Sequence, residues 1–211
     1  SSALSLEWSS GHTIVGNRLI DGIAGINLVN TTDCFFRDNR MVNCSFSVRS
    51  YSSYRYENDL DASNTIDGKP IYYWLNTQSK TVPSNAGYIV LVNCRDIIVE
   101  NCQPTGIMIA STENSTISRV NMSGRRGDGI NLLDCMGIKI LDSTLSDVAI
   151  AIQLDNASNN IIKGNTISNY MTRGINLNGA NNNLIYGNTL QNGSYAIASF
   201  QDTISTGNIV E

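Results

Sequence analysis

The sequence contains little charge, proline or histidine. Charged residues account for 15% of the 211 residues, and there are 3 Pro and 1 His. Long exposed helices draw on Lys, Glu and Arg, so this scarcity argues against an all-α fold. The 14 basic residues are outnumbered by 18 acidic ones and form no run that would neutralise a phosphate backbone, which argues against nucleic-acid binding.

Long apolar runs are also missing. No stretch approaches the roughly 18 apolar residues of a membrane span, and the N-terminus has no basic segment followed by an apolar one. We therefore expect no membrane insertion. One His and 5 Met are too few for a copper site, so we also expect no metal and no cofactor.

Asparagine and isoleucine are present in excess, with 27 Asn and 25 Ile. Isoleucine favours strands, whereas Asn, Ser, Thr and Gly favour turns. The polar surface is therefore built from amides and hydroxyls, and the composition favours an all-β fold.

A repeated sequence unit runs along the chain. Residues 160–167 (NIIKGNTI) and 183–190 (NLIYGNTL) match identically or conservatively at seven of eight positions, at a shift of 23. Six copies have an apolar residue three before a reference position and another two after it, and weaker copies centre on positions 64, 100 and 208. The reference positions are 17, 39, 64, 100, 120, 143, 165, 188 and 208. A fixed period of this kind is typical of solenoids.

Alternation of period 2 follows the reference positions, as in Ile130-Asn-Leu132 and Ile175-Asn-Leu177. Such segments predict short half-buried strands separated by turns, and repeats of this kind bury their apolar face by stacking into parallel rungs. The sequence predicts one domain, residues 1–211, folded as an all-β parallel β-helix of about nine rungs. A leucine-rich repeat would need more Leu and a helical return, and a β-sandwich would not explain near-identical copies.

The pattern Asn-x-Ile-x-x-Asn-x-Ile followed by Gly-Ile-x-Leu resembles the NosD-type repeats of carbohydrate-binding and sugar-hydrolase domains. This resemblance covers most of the chain and implies a right-handed parallel β-helix, but no single activity. Residues 64–74 (NTIDGKPIYYW), leading to 86–94 (AGYIVLVNC), resemble a segment of archaeal cell-surface proteins of this type. The resemblance implies an extracellular or cell-surface location.

One interval breaks the period. The references at 64 and 100 lie farther apart than any other neighbouring pair, so we expect an insertion that forms a loop excursion near 66–88. This segment is rich in aromatic residues, which either pack the loop onto the rod or stack on sugars. Packing is the favoured interpretation. The candidate carbohydrate-binding residues are Tyr72, Tyr73, Trp74 and Tyr88.

Candidate catalytic residues are few. Inverting hydrolases need two carboxylates with room for a water, and β-helix lyases need Ca²⁺ with an Arg or Lys as base. The paired Asp-Asp and the Gly-His-Gly of polygalacturonase-like enzymes are missing, and the one His, His12, lies far along the chain from any acidic cluster. We expect no catalytic site, and Ca²⁺ only if the protein is a lyase. The weak candidates are Arg126, Asp128, Asp147 and Asp155.

The cysteines and asparagines have structural explanations. The five Cys, at 34, 44, 94, 102 and 135, include no Cys-x-x-Cys pair, and we expect buried thiols. A disulfide bridge between Cys34 and Cys44 within one rung is the alternative.

A column of Asn at the turns, which includes Asn160 and Asn183, is expected to form hydrogen bonds from rung to rung and to bind no ligand.

Six Asn-x-Ser/Thr sequons permit N-glycosylation of an exported protein. These glycosylation candidates are Asn30, Asn43, Asn114, Asn121, Asn156 and Asn192.

Two classes of function remain open. The first is a non-catalytic extracellular or cell-envelope module, such as part of an S-layer, with a structural, self-assembling or glycan-contacting role. The second is a carbohydrate-active enzyme, a polysaccharide lyase or glycoside hydrolase, acting in a groove of the β-helix.

Residues 1–13, with Trp8 as a plug, are expected to cap the first rung, and no helix is expected to cover the last rung. The expected partners are copies of the chain stacked end to end, neighbouring domains of a longer surface protein, and glycans.

Overall fold

The repeats form short strands that stack into a β-solenoid of about nine turns. The structure, a computed structural model, describes residues 2–50, 53–123, 127, 129–199 and 204–211. Within these ranges there is a single 3₁₀ turn and no α-helix. The all-β fold and the approximate number of rungs are therefore confirmed.

The first three rungs form an N-terminal stack of three parallel sheets. Its first sheet contains β1 (Ser2–Glu7), β4 (Ala24–Val29) and β7 (Ser45–Arg49). Its second contains β2 (Thr13–Val15), β5 (Phe35–Arg37) and β8 (Asp59–Leu60), and its third β3 (Arg18–Ile20), β6 (Arg40–Val42) and β9 (Thr65–Ile66). The 3₁₀ turn, η1 (Ser53–Tyr56), lies between β7 and β8.

The remaining strands form a C-terminal stack. Its long sheet contains β10 (Lys69–Leu75), β11 (Tyr88–Val92), β13 (Ile107–Ala110), β16 (Ile130–Leu133), β19 (Ile150–Asp155), β22 (Arg173–Asn178) and β25 (Tyr195–Ser199). Through the pairing of β10 with β9 it is continuous with the third sheet of the N-terminal stack, so the two together form one sheet of ten strands. A second sheet contains β12 (Ile98–Glu100), β14 (Thr116–Ser118), β17 (Lys139–Leu141), β20 (Ile161–Lys163), β23 (Leu184–Tyr186) and β26 (Ile209–Val210). A third contains β15 (Asn121–Ser123), β18 (Thr144–Ser146), β21 (Thr166–Ser168) and β24 (Thr189–Gln191).

The break in the period near 66–88 lies where the sequence places it, but its form differs from the expected loop. Strands β9 and β10 make an antiparallel hairpin in which Lys69 faces Ile66. The two residues between them, Asp67 and Gly68, have φ of 47° and 79°. Positive φ at both positions is what a tight two-residue hairpin requires, and Asp-Gly meets this requirement. The chain therefore reverses here and then starts a new stack.

The long interval contains short rungs rather than an insertion. Strand β10 pairs in parallel with β11, where Ile71 faces Tyr88, and β11 pairs with β13, where Ile89 faces Ile107. Both rungs are several residues shorter than the repeat found elsewhere in the chain. The usual period returns at the next rung, where Ile107 faces Ile130. The segment that was expected to be a loop is thus the first rung of the C-terminal stack.

Two apolar cores result from this arrangement. The first fills the C-terminal stack and contains inward side chains such as Ile109 and Leu132. The second fills the N-terminal stack and also includes Val90 and Met108, which lie on the outer face of the long sheet. Strands β11 and β13 are consequently buried on both faces. The N-terminal stack packs against the outside of the C-terminal stack at this point.

The asparagine ladder at the turns is present. Both the backbone N–H and the side-chain amide of Asn160 donate to Asn183 Oδ1, each over 2.9 Å. Asn183 donates in the same way to Asn208, also over 2.9 Å. Asn208 therefore continues the column of Asn160 and Asn183, and not the reference column of Asn165 and Asn188 to which its spacing assigned it. The structural interpretation of these asparagines agrees with their contacts.

The segment 1–13 does not form a separate cap. Strand β1 pairs in parallel with β4, where Leu4 faces Ile26 and Leu6 faces Leu28, so it is a strand of the first rung. The alternation of leucines places β1 in register, because β4 repeats the same apolar pattern one period later. Trp8 follows β1 and is 65% exposed, so it does not plug the core.

Candidate functional site

A cleft of about 420 Å³ lies where the N-terminal stack meets the outer face of the long sheet. We call it the junction cleft. Its N-terminal side is formed by Arg49 at the end of β7, by Ser50, and by Tyr56 of η1. Its sheet side is lined by Met108, Asn131, Leu133, Ile150, Gln153, Asp155, Asn156 and Asn178.

The pleat of the long sheet determines which side chains face the cleft. Met108, Asn131 and Gln153 face each other on successive strands, and Asn176 follows Gln153 on β22. Since alternate residues of a strand point to the same side, this column faces away from the C-terminal core. A parallel column contains Leu133, Asp155 and Asn178. The outer face therefore changes from apolar near Met108 to polar toward β22.

Amide groups hold the one carboxylate among the described residues of the cleft. Gln153 Nε2 donates to Asp155 Oδ1 over 2.6 Å, and Asn178 Nδ2 donates to the same oxygen over 3.0 Å. Gln153 in turn accepts a hydrogen bond from Asn176 Nδ2 over 2.9 Å. These contacts fix the orientation of the Asp155 carboxylate.

Tyr56 closes the cleft toward the N-terminal core. Its side chain is 1% exposed, and its hydroxyl accepts a hydrogen bond from the Ser50 N–H over 2.9 Å. Burial raises the pKa of Tyr56 well above its usual value, so the phenol stays neutral. Tyr56 is therefore a wall of the cleft and no candidate base.

A smaller cavity of about 230 Å³ adjoins the junction cleft. Arg49 and Asn131 line both cavities. The smaller one continues along β4 and β7 on one side and reaches Tyr88 and Thr105 on the other. The two cavities thus form one groove along the line where the stacks meet.

Of the four candidate catalytic residues, the structure describes Asp147 and Asp155. Arg126 and Asp128 lie outside the described residues. Asp147 is an exposed turn residue three positions before β19. Its Oδ1 accepts a hydrogen bond from Asn169 Nδ2 over 3.3 Å. Asp155 is the last residue of that six-residue strand, which spans on the order of 16 Å at ~3.3 Å per residue. Asp155 lines the junction cleft and Asp147 does not, so the two are not placed as the carboxylate pair of a hydrolase.

The aromatic candidates serve in packing. Tyr73 and Tyr88 are each 7% exposed and belong to the N-terminal core. Tyr72 and Trp74 are half-buried, pack against the C-terminal core, and meet edge to face at 6.2 Å. Lys80 lies over the Trp74 ring at 5.9 Å. Because their ring faces are largely occupied by protein, these four residues form no open platform for a sugar.

Five of the six sequon asparagines are exposed, at positions 43, 114, 121, 156 and 192. The exception is Asn30, which is 1% exposed and accepts a hydrogen bond from Ser50 Oγ over 2.9 Å. The sequence could not show this difference, since it depends on the contact with Ser50, which follows β7 on the next rung. Asn30 is not an accessible glycosylation site in the folded protein.

All five cysteines are buried and free, so buried thiols are present and the alternative bridge between Cys34 and Cys44 is not formed. Two of the thiols accept hydrogen bonds at the turns, where other rungs use a side-chain oxygen. Cys34 Sγ accepts a hydrogen bond from the His12 N–H over 3.4 Å, and Cys44 Sγ accepts one from the Gly22 N–H over 3.2 Å. Within the described ranges no three His, Cys, Asp or Glu side chains come together in a way that would hold a metal ion.

The structure has no helix, among the residues it describes, that would be long and apolar enough to span a membrane.

Sequence reasoning identified Asp155 but missed the rest of the junction cleft. Arg49 and Tyr56 come from the third rung, whereas Asn131 and Gln153 come from rungs far along the chain. No motif links them, because the cleft exists only through packing between the two stacks. The one available signal was the Asp67-Gly68 pair, which predicts the chain reversal.

A comparison with known protein families agrees with this architecture. A family model described as "Right handed beta helix region" matches residues 82–211, which is more than half of the chain. No curated protein matches the chain. Two solved structures are similar over most of its length. WceF from Pantoea stewartii, described as a glycan biofilm modifying enzyme with a tailspike-like parallel beta-helix fold, is 11% identical over 90% of this chain, with a TM-score of 0.28.

The second structure is HetL from Nostoc sp. strain PCC 7120, a pentapeptide repeat protein involved in heterocyst differentiation regulation. It is 9% identical and has a TM-score of 0.22, and the match covers 87% of this chain and 85% of HetL. This chain spans 32% of the length of WceF.

Proposed function

Because the chain belongs to the right-handed β-helix family, we propose that it is a non-catalytic β-helix module of an extracellular or cell-envelope protein that contacts glycans through the junction cleft. Family membership implies no single activity. The proposal therefore depends on the chemistry of the cleft.

The observation that carries the proposal is the set of amides around a single carboxylate. Asn131, Gln153, Asn156 and Asn178 line the cleft, and Asp155 is the one acid among its described lining residues. A side-chain amide both donates and accepts hydrogen bonds, as sugar hydroxyl groups do. A lone carboxylate already held by two amides has no second carboxylate with which to cleave a glycosidic bond. This chemistry favours holding a glycan over hydrolysing it.

A location outside the cytoplasm is part of the proposal. It is supported by five exposed sequon asparagines and by the resemblance to NosD-type and archaeal cell-surface repeats. The free thiols are consistent with it, because all five cysteines are buried and thereby protected from oxidation.

Self-assembly is a second proposed role. Strand β26 is the outermost strand of its sheet, and its Ile209 and Val210 are each 53% exposed. An outermost strand presents unpaired backbone groups, and exposed apolar side chains beside them favour pairing with another β-edge. A second copy of this chain, stacked on that edge, is the proposed partner.

A panel of neutral and acidic polysaccharides tests the main proposal. The full chain is incubated with each polysaccharide, with and without Ca²⁺, and both retention on the polysaccharide and new reducing or unsaturated ends are measured. We expect retention on at least one glycan and no product from any. Product formation would show an enzyme, and absence of retention on all glycans would overturn the glycan-contacting role.

A further inference from the structure

Asn131 is a polar residue at the centre of the groove whose side chain the described protein leaves unused. It is half-buried on β16 and lines both the junction cleft and the smaller cavity. Its neighbours Gln153, Asn176 and Asn178 are all engaged in the network around Asp155. No described residue forms a hydrogen bond with the Asn131 side chain. Its amide therefore offers two donors and an acceptor to a ligand at the centre of the groove.

Two apolar residues of the cleft lie beside Asn131. Met108 and Leu133 lie on the adjoining positions of the long sheet and are 5% and 8% exposed. The nearest aromatic wall, Tyr56, is 1% exposed, so it presents no open ring face. Because the aromatic residues that line the groove present no open ring face, this surface suits a methyl group and not the face of a sugar ring, which normally stacks on an exposed aromatic side chain.

The described residues of the groove carry one positive and one negative charge. Arg49 and Asp155 are the cation and the anion among the described residues that line the two cavities. An anionic sugar would gain from Arg49 but would meet the Asp155 carboxylate on the opposite wall, which is unfavourable in a partly desolvated cleft. A neutral ligand meets no such penalty.

We propose that the junction cleft recognises a neutral sugar carrying an N-acetyl group, with the acetamido methyl against Met108 and Leu133 and the acetamido amide paired with Asn131. This inference rests on the proposed glycan-contacting function and names the ligand class of the same site. The adjoining smaller cavity, which shares Arg49 and Asn131 with the cleft, takes the next sugar unit of the chain.

Two disaccharides that differ in the acetamido groups provide the test. The full chain is titrated calorimetrically with N,N′-diacetylchitobiose and with cellobiose, which has the same linkage and carries hydroxyls in place of the acetamides. We expect diacetylchitobiose to bind at least about tenfold more tightly, since a matched amide pair and a buried methyl are lost in cellobiose.

Two variants locate the site. Asn131→Ala should weaken diacetylchitobiose binding at least about tenfold with an unchanged melting temperature, because its side chain has no protein partner to lose. The matched control, Asn121→Ala, removes an exposed asparagine of β15 outside the groove and should bind as the wild type does.

The outcomes separate this inference from the function on which it rests. Equal binding of the two disaccharides, or full binding by Asn131→Ala, would overturn the N-acetyl assignment while glycan contact stands. Absence of diacetylchitobiose binding, together with retention on another polysaccharide of the panel, would also overturn this inference alone. Failure to bind any glycan would overturn both.

Discussion

Asn183 lies one rung above Asn160 and accepts two hydrogen bonds from it on a single side-chain oxygen, from the backbone N–H and from the side-chain amide, each over 2.9 Å. Both residues are 1% exposed. The contact satisfies buried polar groups at a turn between sheets, where the strand ladders cannot reach.

Asn183→Ala should therefore destabilise the fold. The substitution leaves the buried N–H and amide of Asn160 without an acceptor, and we expect a loss of about 2–4 kcal/mol in the free energy of unfolding. Urea denaturation followed by circular dichroism measures this loss. Asn121→Ala, at an exposed position, should change the free energy by less than about 0.5 kcal/mol. Equal effects of the two variants would contradict the ladder as a stabilising element.

The hairpin between β9 and β10 should depend on backbone conformation at Gly68. Its φ is 79°, and no atom lies within 4 Å of the position of an added Cβ. Gly68→Ala should cost about 1–2 kcal/mol through strain alone, whereas Gly68→Asn should cost less, because asparagine adopts left-handed backbone more readily. Melting temperatures of the two variants test this order. If alanine were tolerated as well as asparagine, strain at the hairpin would be refuted.

The repeat, the solenoid and the asparagine ladder could be predicted from the sequence, because each rests on contacts that recur at a fixed spacing. The start of the C-terminal stack could not be predicted from that spacing, since its first rungs, which pair Ile71 with Tyr88 and Ile89 with Ile107, are shorter than the repeat. The junction cleft could not be predicted from the sequence for a different reason. Arg49 and Asp155 line one cleft only because the N-terminal stack packs against the outer face of the long sheet, and periodicity describes contacts between neighbouring rungs alone.

Two buried thiols should make stability fall at high pH. Burial raises the pKa of Cys135 to about 12 and that of Cys102 to about 11. An unfolded thiol ionises near pH 8.5, so the unfolded state loses its proton first. The stability these thiols contribute is complete below about pH 8.5 and is lost as the pH rises toward 11 to 12.

Urea midpoints between pH 7 and 10.5 measure this dependence. Cys135→Ala should reduce the slope above pH 8.5, and alanine suits the position because Ala157 and Ala180 occupy it on the next two rungs and are fully buried. A slope that the substitution leaves unchanged would contradict the raised pKa of Cys135.

Glycan occupancy should follow exposure if the chain is produced in a glycosylating host. Asn114 and Asn156 are exposed and available to carry glycans, whereas a glycan on the buried Asn30 would prevent the packing of Ser50 against it. Mass spectrometry of glycopeptides from the secreted, folded protein should find modification at exposed sequons and none at Asn30. Occupied Asn30 in folded protein would contradict the placement of that rung.

The exposed edge of β26 should promote self-association. Light scattering over a concentration series is expected to show growth of the mean mass with concentration. Ile209→Lys places a charge on the exposed edge and should suppress this growth, whereas Ile98→Lys, on the first strand of the same sheet, should not. A wild-type mass that is constant and monomeric at all concentrations would refute stacking through this edge.

Glycan contact at the junction cleft without cleavage is tested most directly by nuclear magnetic resonance of the ¹⁵N-labelled full chain during a titration with N,N′-diacetylchitobiose. We predict that the side-chain amide signals of Asn131 and Gln153 shift on addition of the sugar, and that the sugar spectrum shows no new reducing end after prolonged incubation. Unchanged amide signals at these two residues would contradict an N-acetyl glycan site between the two stacks, and the appearance of monosaccharide would contradict its non-catalytic character.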